Sequence, residues 1–359
     1  MWLILLPSMS WKRTLEKVSN WELWPFELRY SLIVPVWLWY CLRSRSLWFF
    51  TPSNPTITFG GFEGEDKREM YEQLPKELYP KTIYVHPKEA FSTVQQMVQQ
   101  NGFTYPFIVK PDVGMKGLLF RKIDTEQELK TYHQKVPCQY LVQDLVDYPL
   151  EISVFYYRYP GAQKGVITGF IQKDLMVVVG DGRSTLWELI NEHPNARHRL
   201  EEMQVKHKDH LGTIIPAKEK YILTYAANLN RGAKFTNLQH LIDEELLALF
   251  DRLSHQTSFF YGRYDIKCTS VEDLKKGRNF SILEFNGSGA EPNHVYHSGY
   301  SLFGAYKVFL MHWKVLYRIS KINARLGHPY WPFKKGLEHM KQSRRHMKQL
   351  EVCDTQILV

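Results

Sequence analysis

Two short segments carry the residues best suited to chemistry. Gly262-Arg263-Tyr264-Asp265-Ile266-Lys267 and Ser281-Ile282-Leu283-Glu284-Phe285-Asn286 both read as strands, and the second runs into Gly287-Ser288-Gly289. Successive side chains of a strand point to opposite faces, so Glu284 and Asn286 share a face, and Asp265 joins them if the strands are neighbours. Two carboxylates and an amide oxygen make a poor core. They make a good site for Mg2+, which takes hard oxygen ligands and leaves room for water and phosphate.

A cation that could meet the phosphate stands at the end of Phe107-Ile108-Val109-Lys110-Pro111, a buried-strand pattern followed by a loop over 112–117 that contains Gly114, Lys116 and Gly117. A lysine at the mouth of a strand can reach a phosphate while the backbone N–H groups of a glycine-bearing loop cover it. A strand-end lysine beside a plain hairpin would look the same.

The elements that must position these residues follow the local patterns. Helices are expected over 90–101, closed by Gly102, and over 243–260, leading directly into the Asp265 strand. Strands are expected over 140–146, 151–157 and 165–171, and Val177-Val178-Val179 turns at Asp181-Gly182 with Ser184 or Thr185 capping the next helix. Residues 194–211 read as a solvated helical stretch; His193, His198, His207 and His210 lack the compact spacing of a metal cluster.

At 359 residues and 44% hydrophobic content the chain can bury two or three lobes, which excludes a disordered chain. Its net charge of +9 is unevenly placed: residues 1–50 carry +3, residues 314–359 carry +7, and the centre carries −1. A near-neutral body with basic ends argues against nucleic acid as a partner and for basic surfaces at the termini. Cys41, Cys138, Cys268 and Cys353 are widely separated and form no CxxC pair, so a reducing, cytoplasmic setting is expected.

The first 59 residues are aromatic and basic. The opening apolar residues are too few for a signal sequence, and Lys12 and Arg13 follow them rather than precede them. The apolar run over 31–42 contains Pro35, ends at Arg43, and falls short of the roughly 20 apolar residues of a membrane span. It fits a buried helix or one lying in the plane of a membrane interface, on the inner face of the membrane. Thr51-Pro52-Ser53-Asn54-Pro55 and Gly60-Gly61 are loop signals that end this region. Residues 334–350 form a basic amphipathic helix, suited to a solvated tail, a membrane surface or an acidic partner.

Taken in order, these parts resemble the ATP-grasp superfamily, especially its D-alanine–D-alanine ligase, cyanophycin synthetase and glutathione synthetase-like branches. The resemblance spans roughly residues 60–312. It implies an α+β fold of two lobes clasping ATP, with a lid lobe over about 106–185, a metal-binding lobe over about 186–312 and a basic helical tail over 313–359. It also implies an ATP-dependent carboxylate–amine or carboxylate–thiol ligase working through an acyl phosphate, with ATP and Mg2+, or Mn2+ in its place, as cofactors.

Carried onto this sequence, the resemblance assigns Lys110, the lid residue Lys116 and, earlier, Lys67 to the ATP phosphates. The hinge over 143–146 (Gln143, Asp144, Leu145, Val146) goes to adenine, with Gln143 standing where Glu is common, and Glu151 goes to the ribose. Asp265, Glu284 and Asn286 are implied metal ligands, and Arg231 supports the acyl-phosphate and tetrahedral intermediate. Asn293 and His294 stand where relatives bind the second substrate, although helix capping accounts for them equally well.

One departure matters. The N-terminal α/β domain that shapes the acceptor site in most relatives is replaced here by the aromatic and basic region, so substrates range over small-molecule, peptide or lipid-linked carboxylates and amines. A non-catalytic, membrane-associated ATP-binding regulator or scaffold is the competing reading.

Overall fold

The computed structural model describes residues 18–115, 117–224 and 232–357. Its strands fall into two larger antiparallel sheets and one small one. The first sheet contains β1 (Thr82–Val85), β2 (Phe107–Pro111), β3 (Arg121–Ile123) and β4 (Tyr140–Asp144) in the order β1-β4-β2-β3. The second contains β5 (Leu150–Tyr157), β6 (Val166–Asp174), β9 (Lys234–Asn237), β10 (Tyr261–Cys268) and β11 (Phe280–Asn286) in the order β11-β10-β5-β6-β9. Between β6 and β9, β7 (Val177–Val179) and β8 (Lys220–Ile222) form the small ribbon.

The helices, in chain order, are α1 (Phe26–Ser31), α2 (Val34–Ser44), α3 (Lys67–Tyr71), α4 (Phe91–Gln100), α5 (Glu126–Lys135) and α6 (Leu186–Glu192). They continue with α7 (Leu200–Lys206), α8 (Glu244–Gln256), α9 (Val271–Lys275), α10 (Leu302–Arg325) and α11 (Phe333–Ile357).

Alternation decides which side of each sheet meets what. In β2 and β4, Phe107, Val109, Tyr140 and Val142 pack with Val94 of α4 and with Leu129 and Tyr132 of α5. Lys110 and Gln143 take the opposite face, toward the second sheet. The second sheet has one face on α8. Asp243 caps that helix, accepting from the Leu246 N–H at 3.0 Å, and Leu246, Leu249, Phe250 and Leu253 at helical spacing enter the core with Val154, Tyr156, Tyr264 and Ile266. On its other face α10 covers one half, where Phe155 meets His312. The other half carries the polar residues of the next section. Thr185, one of the two expected caps, closes a reciprocal capping box with Glu188 at the start of α6.

Residues 51–54, read from the sequence as loop, are buried. A buried loop needs partners for its backbone, and Asn54 supplies them. Its amide donates to the Gly60 and Tyr261 carbonyls at 3.1 and 2.8 Å and accepts from the Phe260 and Tyr261 N–H groups at 2.9 and 3.1 Å. The N-terminal region is thereby fastened to the start of β10. Asn54→Ala strands these backbone groups without water and should cost about 3 kcal/mol, read as a lowered melting transition.

The C-terminal helix is neither a free tail nor an open amphipathic face. Leu350 and Met347 of α11 join the core of the first sheet, and Asp354 binds Arg121 at 2.7 Å and the Leu119 N–H at 3.0 Å. His339 and Ser343 hold Glu63, and His346 hydrogen-bonds the Val113 carbonyl. Met340, Met347 and Leu350 are thus taken up by the chain itself, while Leu337, Lys341, Arg344, Arg345 and Lys348 stay exposed. The apolar run near residue 40 forms α2, and among the described residues no helix is long and apolar enough to cross a membrane.

Candidate active site

The register of the second sheet builds the site. Asp265 of β10 lies opposite Glu284 of β11 and opposite Ser153 of β5, Arg263 lies opposite Asn286, and Glu151 lies opposite Lys173 of β6. All seven side chains therefore belong to one face. The sequence reading named Asp265, Glu284, Asn286 and Glu151 but missed Arg263, Ser153 and Lys173. Arg263 was within reach of the same alternation, two residues before Asp265. Lys173 required knowing that β6 lies beside β5.

Asp265 is 6% exposed and closely held. It accepts from Ser153 Oγ at 2.7 Å, pairs with Lys173 Nζ at 2.9 Å and lies 3.4 Å from Arg263 Nε. Burial alone would raise this carboxyl, but Lys173 and Arg263 together hold it below the ordinary range. Asn286 Nδ2 reaches its second oxygen at 3.3 Å. Glu151 shares Lys173 at 3.5 Å, and burial pushes its carboxyl up against the pull of that lysine.

Between Asp265 and Ile266 the pairing with β11 slips by one residue, leaving a bulge at Leu283. Bulges re-aim strand groups, and here the Leu283 carbonyl turns to the first sheet. It accepts from Tyr71 Oη at 2.6 Å and from Lys110 Nζ at 3.4 Å. Burial lowers the Lys110 pKa, while Glu284, Glu151 and Asp112 oppose the shift. Lys67, the first residue of α3, donates to the Gly114 and Asp112 carbonyls and lies 3.8 Å from Glu284 Oε1. It ties the loop after β2 to the edge of β11. Nearby, burial pushes the Glu65 carboxyl up to about 7, against its own backbone N–H and Lys67.

The Gln143 side chain is occupied structurally, donating to Tyr71 Oη at 3.0 Å and Thr82 Oγ1 at 2.8 Å. Asp144 pairs with Lys81 at 3.6 Å where β4 ends, and Leu145 and Val146 begin the crossing from the first sheet to the second. Lys116 and Arg231 lie outside the described residues.

Asn293 sits in a turn and donates to Ser153 Oγ at 3.3 Å, beside Asp265. His294 is 2% exposed, its ring against Gly169 and 5.9 Å from that of His312. Neither residue caps α10; Ser301 does, accepting from the Gly304 N–H. The N-terminal region closes this side: Trp21 donates to the Tyr300 carbonyl, Arg29 to Tyr296 Oη, and Tyr30 to Glu291.

Burial lowers His294 to about 4, and His312 well below its ordinary value. Both rings are neutral in the folded chain and take up a proton more readily when unfolded. Their stabilising contribution is present above about pH 6.5 and is lost as the pH falls toward 4. For His294 alone it amounts to about 3 kcal/mol. Melting followed from pH 7 to pH 4.5 should fall more steeply for the wild type than for His294→Gln.

The donor set of Asp265, Glu284 and Asn286 fits Mg2+ by its chemistry, two carboxylates and an amide on one face beside lysines that suit a phosphate. Among the described residues no group of three or more His, Cys, Asp or Glu side chains is placed to hold a metal ion.

Neither a family model nor a curated protein matches this chain. Solved structures to which it is similar include the VanG D-Ala:D-Ser ligase from Enterococcus faecalis (TM-score 0.41, 12% identity) and D-alanine–D-alanine ligase from Bacillus anthracis (0.38, 14%). A bifunctional glutathione synthetase from Pasteurella multocida is similar at 0.37 and 14%. The matches cover 72, 73 and 69% of this chain, which spans only 62, 67 and 36% of those proteins. At these TM-scores the likeness carries no argument about activity, which rests on the site itself.

Proposed function

We propose that this chain is an ATP-dependent ligase that joins a carboxylate to an amine, or to a thiol, through an acyl phosphate and releases ADP and phosphate. The supporting observation is that Lys67 and Lys110 come from the first-sheet side onto the one stretch of β11 that carries Glu284, beside Asp265 and Asn286. Phosphoryl transfer asks of a protein mainly positioning and charge stabilisation, and this meeting of cations and carboxylates offers both.

In this reading Lys110 and Lys67 hold the ATP phosphates, Glu151 faces the ribose, and the backbone of 143–146, at the crossing between the sheets, meets adenine. Asp265, Glu284 and Asn286 would hold Mg2+, which when bound offsets the charge of the phosphates. A substrate carboxylate oxygen attacks the γ-phosphorus as its bond to the bridging oxygen breaks and ADP leaves. The amine nitrogen then attacks the acyl carbon, phosphate departs, and the nitrogen gives up its proton. Asn293 and Arg231 are the proposed contacts to the second substrate and the tetrahedral intermediate. His294, being buried, would support that contact from behind.

Incubation with ATP, Mg2+ and pooled amino acids and dipeptides should give acceptor-dependent ADP. If Glu284→Gln released ADP at the wild-type rate, the site assignment would fall. Tight ATP binding without acceptor-dependent ADP would point instead to a regulator or scaffold.

A further inference from the structure

We infer that the surface built from α2 and α10 docks on an anionic lipid bilayer, with one stripe of α2 lying in the boundary between headgroups and acyl chains. This inference does not depend on the ligase reading.

Helix α2 has an unpartnered apolar face. Leu38, Trp39 and Leu42, at i, i+1 and i+4, are 51, 55 and 72% exposed, while Trp37, Tyr40 and Cys41 pack inward. Next to this stripe, Trp37 meets Trp313 and Tyr40 stacks on Tyr317 of α10. From Phe303 to Arg318 the exposed residues of α10 are Phe303, Lys307, Met311, Lys314 and Arg318, recurring every three or four positions along one side. Lys314 and Arg318 each follow a residue of the α2 contact, so the two stripes adjoin. An apolar groove of about 710 Å3 runs along the same edge of α2, between Leu38 and Leu42 on one side and residues 330–333 on the other.

Charge complementarity selects the occupant. Residues 28–62 and 292–337 contain no Asp or Glu and carry ten Lys and Arg, more than the net +9 of the whole chain. The fold packs these two stretches against each other; Arg29 is taken up by Glu291 at 3.9 Å, and the other nine cations belong to one region of the molecule. Nucleic acid would satisfy the cations but leave the protruding Leu38, Trp39 and Leu42 in water. An anionic bilayer takes both, since leucine and tryptophan suit its boundary and each nearby cation adds attraction to acidic headgroups. The groove beside the stripe offers room for an acyl chain.

The test is flotation of the full chain with vesicles of phosphatidylcholine alone or mixed with phosphatidylserine, at physiological salt. Wild type should float with the mixed vesicles and far less with neutral ones. Leu38→Ser/Leu42→Ser should lose at least about tenfold in binding with unchanged melting, because both side chains are exposed. Arg43→Gln/Lys314→Gln, which alters no buried side chain, should lose the preference for phosphatidylserine, and it carries the test if the leucine variant melts early. Failure of the wild type to float would overturn the inference. So would flotation of both variants like wild type, or binding of single-stranded RNA that displaces the protein from the vesicles and is unaffected by the leucine changes.

Discussion

Asp265→Asn is expected to lower both stability and turnover, and the two losses have separate causes. The carboxylate is nearly fully buried and is the common partner of Lys173 at 2.9 Å and Arg263 at 3.4 Å. With an amide in its place, Lys173, only 5% exposed in its side chain, keeps Glu151 alone at 3.5 Å. Breaking a buried pair from one side costs about 3–5 kcal/mol when the remaining charge is left unpaired, and the longer contact to Glu151 places this variant toward the lower end. On the proposed reading turnover should fall by at least about a hundredfold, because the carboxylate is one of the three groups that would hold Mg2+ against the phosphates. Melting and ADP release measured on one preparation separate these effects. Adding Lys173→Met to Asp265→Asn should restore part of the stability, since the stranded cation is gone although Glu151 loses its lysine, and none of the turnover. A double variant that regained activity would mean that the carboxylate serves only the fold. The Asp265 carboxyl sits below the ordinary range, so its stabilising contribution is whole at neutral pH and is lost as the pH falls through the acid range; the single variant should lack that part of the acid dependence.

How much of this was legible in the sequence follows from the range of each interaction. The shared face of Glu284 and Asn286 is local, set by the two-residue period of a strand. Asp265 needed only one further assumption, that its strand is a neighbour. Lys173 and Ser153 were invisible because their proximity to Asp265 is a fact of register across β6, β5 and β10. The bulge that turns the Leu283 carbonyl toward Lys110 leaves no mark in Ile282-Leu283-Glu284, which reads as regular strand. The burial of residues 51–54 contradicted a composition typical of turns, because one side chain, Asn54, does the work that water does in an exposed loop. Helix α11 shows the opposite difficulty. Its amphipathic period was plain, but the same period serves a membrane, a partner or the chain's own core. Only the first sheet, by taking in Leu350, makes the choice.

Lys110→Met is expected to leave the fold as stable as before, or slightly more so, while ATP-dependent turnover falls by at least about a hundredfold. Lys110 is a partly buried ammonium whose direct contacts are weak: Tyr71 Oη and the Leu283 carbonyl, each at 3.4 Å, are neutral groups at long range, and the carboxylates of Glu284, Glu151 and Asp112 act on it from a distance without outweighing burial. Burial accordingly lowers its pKa. A group kept only for the fold would be expected in tighter contact, as Asp265 is, and its loss would be felt in melting. The methionine chain keeps most of the stem against Tyr71 and removes the cost of desolvating a charge. An increase in stability paired with loss of function is the mark of a residue held ready for something that arrives later, on the proposed reading the phosphates of ATP. Titration of a fluorescent ATP analogue checks the same point without turnover. Lys110→Met should weaken binding at least about tenfold, whereas Lys81→Met, which removes a half-exposed lysine paired with Asp144, should leave it unchanged. If Lys110→Met instead melted several degrees earlier and bound the analogue as wild type does, Lys110 would be a brace between the two sheets, and the phosphate end of the site would have to lie elsewhere.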